Sequence, residues 1–102
     1  MAEVKSKTTL TEHYRGLEFK IKYLKEEYEH KEFIINSCGK EFNCEIKFNE
    51  DRQQFQAIVR HDGRTNSLSF FPVPKNAKDN IYMYISFVVG SPDNQSQKKL
   101  GD

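Results

Sequence analysis

From Phe42 onward, apolar and polar positions alternate with a period of two. Phe42, Cys44, Ile46 and Phe48 interleave with Asn43, Glu45 and Lys47, the pattern of a strand with one face buried and one wet. Phe55, Ala57 and Val59 alternate in the same way with Gln54, Gln56 and Arg60, and Ile58 breaks the rule. After His61 comes Asp62-Gly63, a pair suited to a type I′ turn, which needs positive φ at both central residues. If those two residues form the loop, His61 faces Arg64, Ala57 faces Leu68 and Phe55 faces Phe70. Upstream, placing Phe48 opposite Phe55 sets Ile46 against Ala57 and Cys44 against Val59, and a Cys38-Gly39 turn sets Ile35 against Phe42. Agreement in register across four strands is a stricter condition than each strand looking regular alone.

Pro72 and Pro74 end the fourth strand because neither can donate to a ladder, and Lys75 to Asp79 reads as a surface loop. Ile81, Met83, Ile85, Phe87 and Val89 then alternate with Tyr82, Tyr84, Ser86 and Val88, predicting a fifth, well-covered strand closed by Gly90-Ser91-Pro92.

The stretch from Thr9 to Lys31 carries two patterns at once. Leu10, Tyr14, Leu17, Ile21, Leu24 and Tyr28 recur at helical spacing, and Thr9 with Glu12 makes a capping box. Leu17, Phe19, Ile21 and Tyr23 also alternate with Glu18, Lys20 and Lys22 as a strand would, and Gly16 disfavours a helix interior by about 1 kcal/mol relative to Ala. The longer stripe and the Glu-rich end favour the helix. The expected fold is therefore α+β, an N-terminal helix packed on a five-stranded antiparallel meander, with an all-β sheet or barrel of six strands as the alternative. Polar ends predict a flexible N-terminus over residues 1–8 and a disordered tail over 91–102, around one globular unit at 9–90.

Composition sharpens this picture. In 102 residues there is room for one core, and with 36% hydrophobic residues that core is thin. A mean hydropathy of -0.81 would suit a disordered chain, but a net charge of +1 and 13% aromatics favour collapse. Charge is also balanced locally: Lys/Arg against Asp/Glu run seven to seven over residues 1–32, four to four over 33–61 and five to four over 62–102. No basic block exists to release counterions from nucleic acid, which disfavours that class of partner. Neither an apolar leader nor a membrane-spanning run is visible, so the expected location is intracellular, in the cytoplasm, with no membrane partner.

Candidate chemistry is sparse. Cys38 and Cys44 are spaced unlike a zinc knuckle and have no second ligand pair, so neither a metal nor a cofactor is expected. His61-Asp62 with Cys38 could be drawn as a nucleophile, base and orienter, but neighbours in a turn splay apart. The carboxylate pairs Glu26-Glu27 and Glu50-Asp51 fall in wet contexts that leave neither member desolvated. These readings point away from an enzyme.

What remains is a small non-catalytic interaction module, an adaptor, inhibitor or self-associating subunit, binding through an exposed sheet face or edge. Its expected contact residues are Phe19 and Tyr23, four apart on the outside of the N-terminal helix, together with Tyr82, Tyr84 and Val88 on the outer face of the last strand. Two alternatives stand beside it. One is a single-stranded nucleic-acid binder using Lys22, Lys47, Arg60 and Arg64, and the other is a carrier of a small apolar ligand between helix and sheet.

Overall fold

Residues 9–90 are described by a computed structural model, and the termini expected to be flexible, 1–8 and 91–102, lie outside the described residues. Two-residue turns organise the chain. Asp62 and Gly63 have φ of 52° and 72°, as a type I′ loop requires, and Arg15-Gly16 and Cys38-Gly39 repeat the same geometry. The elements in order are β1 (Thr9–Tyr14), β2 (Leu17–Glu27), β3 (His30–Ser37), β4 (Lys40–Asn49), β5 (Gln54–His61), β6 (Arg64–Phe71) and α1 (Pro74–Val89). The strands form one six-stranded sheet in sequential order, antiparallel throughout. The protein is α+β, one helix on an antiparallel sheet.

The register expected for β3 to β5 is the one observed: Ile35 faces Phe42, Cys44 faces Val59, Ile46 faces Ala57 and Phe48 faces Phe55. His61 faces Arg64 as well, but Ala57 faces Ser69 and Phe55 faces Phe71, not Leu68 and Phe70. The ladder shifts between Ala57 and Ile58, and Leu68 is the extra residue, its side chain packed against the core.

The expected N-terminal helix is two strands instead. Leu17, Phe19, Ile21 and Tyr23 are all buried while Glu18, Lys20 and Lys22 between them are exposed. A helix would have brought Leu24 and Tyr28 inward; here they are 40% and 64% exposed. Arg15-Gly16 decides the matter, because a glycine unfavourable in a helix is suited to the positive φ of 79° it adopts in this turn.

The expected fifth strand, with the loop before it, is α1. Pro74 occupies the first turn, where its missing N–H removes nothing, and Gly90 caps the end at φ 73° with its N–H donating to the Ser86 carbonyl. The prolines and glycine that looked like strand terminators bracket a helix. Ala77, Ile81 and Ile85, spaced by four, are fully buried, whereas Met83 and Phe87, which an alternating strand would have put beside them, are 36% and 56% exposed. Short apolar runs fit both periods, and here the i, i+4 spacing reaching back to Ala77 prevails.

The core lies between α1 and one face of the sheet: Phe19 and Ile21 from β2, Phe33 and Ile35 from β3, Phe42 and Ile46 from β4, and Val59 from β5 close on Ile81 and Ile85. The sheet curls around the helix. Tyr82 reaches β1, where its hydroxyl donates to Glu12 Oε1 at 2.8 Å, and Tyr84 reaches β5, where its Oη lies 2.9 Å from His61 Nε2. A flat sheet would hold those two strands about 19 Å apart, four inter-strand steps of about 4.8 Å. Among the described residues no helix is long and apolar enough to cross a membrane.

Candidate interaction surface

The expected contact residues are inside. Phe19 and Tyr23 are 0% and 4% exposed, because on β2 their alternation points them at the core, and no patch of exposed rings exists there. Tyr82 is 7% exposed, stacked edge-on against Phe19 and Tyr14, and burial together with the hydrogen bond to Glu12 pushes its phenol pKa upward. Tyr84 and Val88 are half-buried and pack against the core cluster. The helical twist that replaced the expected strand turned these side chains inward.

Other side chains occupy the surface instead. The outward line of α1 carries Met83 and Phe87 one turn apart, and the Arg15 guanidinium, from the β1–β2 turn, lies 6.0 Å from the Phe87 ring centre and 5.8 Å from that of Tyr14. Beside them, Tyr14, Phe71, Asn76, Asp79, Asn80 and Met83 line an open cavity of about 360 Å³. Because Tyr14 ends β1 and Phe71 ends β6, this cavity sits where the two edges of the curled sheet approach the helix. Sequence reasoning missed Arg15, Met83 and Phe87; Pro74 and Gly90, read as the two ends of a helix, were the signal that could have found the last two.

The sheet's second face is mostly polar, with Ile34 and Ile58 set among its charged side chains. Lys22, Lys47 and Arg60 are exposed on it, interleaved with Glu18, Glu32 and Glu45, while Arg64 is exposed at the start of β6. At the centre of this face Glu32 stands directly opposite Glu45, and His30 Nε2 lies 2.8 Å from Glu45 Oε2 and 3.2 Å from Glu32 Oε2. Arg60 Nη1 is 3.4 Å from the other oxygen of Glu45. Burial alone would raise the Glu45 pKa, but hydrogen bonds from His30 and Arg60, with the charge of Lys47, bring it below its ordinary value. This cluster was legible: the Ile35 to Phe42 register, extended by three residues, sets Glu32 against Glu45, and reading residues 9–31 as a helix detached His30 from it.

The drawn triad does not assemble. Cys38 is exposed in its turn and Cys44 is buried, its thiol pKa pushed up by burial. His61 and Asp62 do not splay apart, Nδ1 lying 3.2 Å from Asp62 Oδ2, but Nε2, which would have to serve the nucleophile, meets Tyr84 Oη at 2.9 Å. Lys40 Nζ donates to the same Asp62 oxygen at 3.2 Å. This arrangement fastens the β5–β6 turn to α1.

Compared with protein-family models, curated proteins and solved structures, the chain matches none of them.

Proposed function

We propose that the protein is a small non-catalytic interaction module that binds another protein through the outward face of α1 and the adjoining corner of the β1–β2 turn. The observation that carries this reading is Phe87, a large ring 56% exposed with an arginine over it and Met83 one turn away. Aromatic and arginine side chains dominate the energetics of protein interfaces, and a rigid helix presents them without ordering a loop. The cavity at Tyr14, Phe71 and Met83 offers a recess beside them for an anchoring side chain.

A photo-crosslinking residue at position 80, in that recess, tests the reading. It should trap a discrete partner whose capture is lost in Phe87→Ser and in Arg15→Ala, while both variants melt within about 0.5 kcal/mol of the parent, as surface changes do. Capture that survives both changes would overturn it.

A second reading, binding of single-stranded nucleic acid on the polar sheet face, is favoured by the exposure of Lys22, Lys47 and Arg60 on one surface. The interleaved glutamates weaken it. Its signature is binding of a mixed oligonucleotide that falls steeply with salt, and no binding at low salt removes it.

A further inference from the structure

We propose that His30, Glu32 and Glu45 form a binding site for a borderline divalent cation of the zinc class on the polar face of the sheet. The three donor atoms, one imidazole nitrogen and one oxygen from each carboxylate, all lie within 4.8 Å of one another. His30 Nε2 is 2.8 Å from Glu45 Oε2 and 3.2 Å from Glu32 Oε2. Donors bound to one zinc ion at about 2.0 to 2.2 Å lie about 2.9 to 3.5 Å from each other, so the observed spacings are close to the edges of a coordination polyhedron.

The backbone fixes this convergence. Glu32 and Glu45 are cross-strand partners on one face, and His30 precedes Glu32 by two residues, so it projects from the same face of β3. Like charges directly opposite on a sheet destabilise it, and a cation between Glu32 and Glu45 turns that repulsion into ligation. Arg60 holds Oε1 of Glu45, which leaves Oε2 facing His30 and orients the carboxylate as outer partners of metal ligands do. An imidazole beside two carboxylates selects a zinc-class ion over calcium or magnesium, which prefer oxygen ligands alone. Three protein ligands leave positions for water or an outside donor, and a cavity of about 170 Å³ lined by Leu24, Glu32, Asn43, Glu45 and Arg60 opens beside them. The site is distinct from the α1 surface, so each stands or falls by itself.

Calorimetric titration of the whole chain with zinc chloride, with Cys38→Ser as a parallel sample, tests the proposal. One zinc per chain is expected in both, with affinity reduced at least tenfold by His30→Ala and by Glu32→Gln; the latter residue is 43% exposed in its side chain, so its replacement preserves folding. In imidazole NMR spectra the His30 signals should move on zinc addition while those of His13 and His61 stay. The proposal is overturned by an absence of zinc uptake, by uptake that Cys38→Ser abolishes, by undiminished affinity in Glu32→Gln, or by zinc shifts on His13 or His61 in place of His30.

Discussion

The Tyr82 hydroxyl donates to Glu12 Oε1 at 2.8 Å across 70 residues of sequence, tying the middle of α1 to the first edge strand. β1 is an edge strand paired with β2, and its Leu10 and Tyr14 pack against the core. The hydrogen bond from Tyr82 to the Glu12 carboxylate is a polar fastening between this edge of the sheet and the helix. Tyr82→Phe keeps the ring packed on Phe19 and Tyr14 and removes that one bond. It should destabilise the protein by about 1.5 to 3 kcal/mol in urea unfolding, the range for bonds to charged groups. Hydrogen exchange should quicken in β1 before it does in β4. Exchange that rises uniformly would show that the bond does not hold the edge.

Phe19 reports on the N-terminal hairpin. On β2 it shares one buried face with Leu17, Ile21 and Tyr23. Phe19→Ala should therefore cost about 3 to 5 kcal/mol, and Ile21→Ala about 2 to 5 kcal/mol. Leu24→Ser, at the extra residue of the bulge between Tyr23 and Lys25 and 40% exposed, should stay within about 0.5 kcal/mol of the parent. On a helix the order of Phe19 and Leu24 would reverse, so chemical denaturation of these variants discriminates the two directly.

Legibility in the sequence followed how many independent constraints each segment carried. Residues 33 to 61 had alternation plus the turns at Cys38-Gly39 and Asp62-Gly63, and a one-residue slip would have exposed Phe42, Cys44 and Ile46 together, so the register was readable. Residues 9 to 31 and 81 to 89 satisfied two periods at once. For the first, Arg15-Gly16 held the answer as the same kind of turn as Asp62-Gly63, but without an Asn or Asp before the glycine it gave a weaker signal. For the second, a helix beginning at Pro74 needed Lys75 to Asp79 as its first turns, and their polarity suited a loop equally well. The candidate surface shared this fate. Phe87 alternates with Val88 on a strand and would be covered, but on α1 it lies outside, and its approach to Arg15 depends on the curl of the sheet, which no local pattern encodes.

The Asp62-Gly63 turn separates conformational strain from crowding. A Cβ built on Gly63 meets nothing within 4 Å, so any loss on substitution comes from the φ of 72° alone. Gly63→Val should destabilise by about 1 to 3 kcal/mol, because a β-branched residue resists the left-handed region. Gly63→Asn, a residue that tolerates that region, should recover most of the loss. Equal melting of the valine and asparagine variants would place the constraint elsewhere.

Asp62 carries a pH dependence with a definite sign. Hydrogen bonds from Lys40 and His61, reinforced by the Lys40 charge, hold its carboxyl pKa below the ordinary aspartate value. The unfolded chain therefore binds its proton more readily than the folded one. The contribution of Asp62 to stability is complete above the unfolded pKa of about 3.9 and drains away as pH falls through the lower folded value. Because the group is fully exposed, solvent screening keeps the effect small, and the site-specific titration is the sharper measurement. Carboxyl carbon NMR should show Asp62 titrating below the ordinary value in the parent and moving up in Lys40→Met, the larger of its two partners. Replacing Tyr84 by Phe leaves Lys40 untouched and frees His61 Nε2, so it should move the Asp62 midpoint less than Lys40→Met does. A midpoint that ignores Lys40→Met but follows Tyr84→Phe would mean that the turn is fastened through His61 alone.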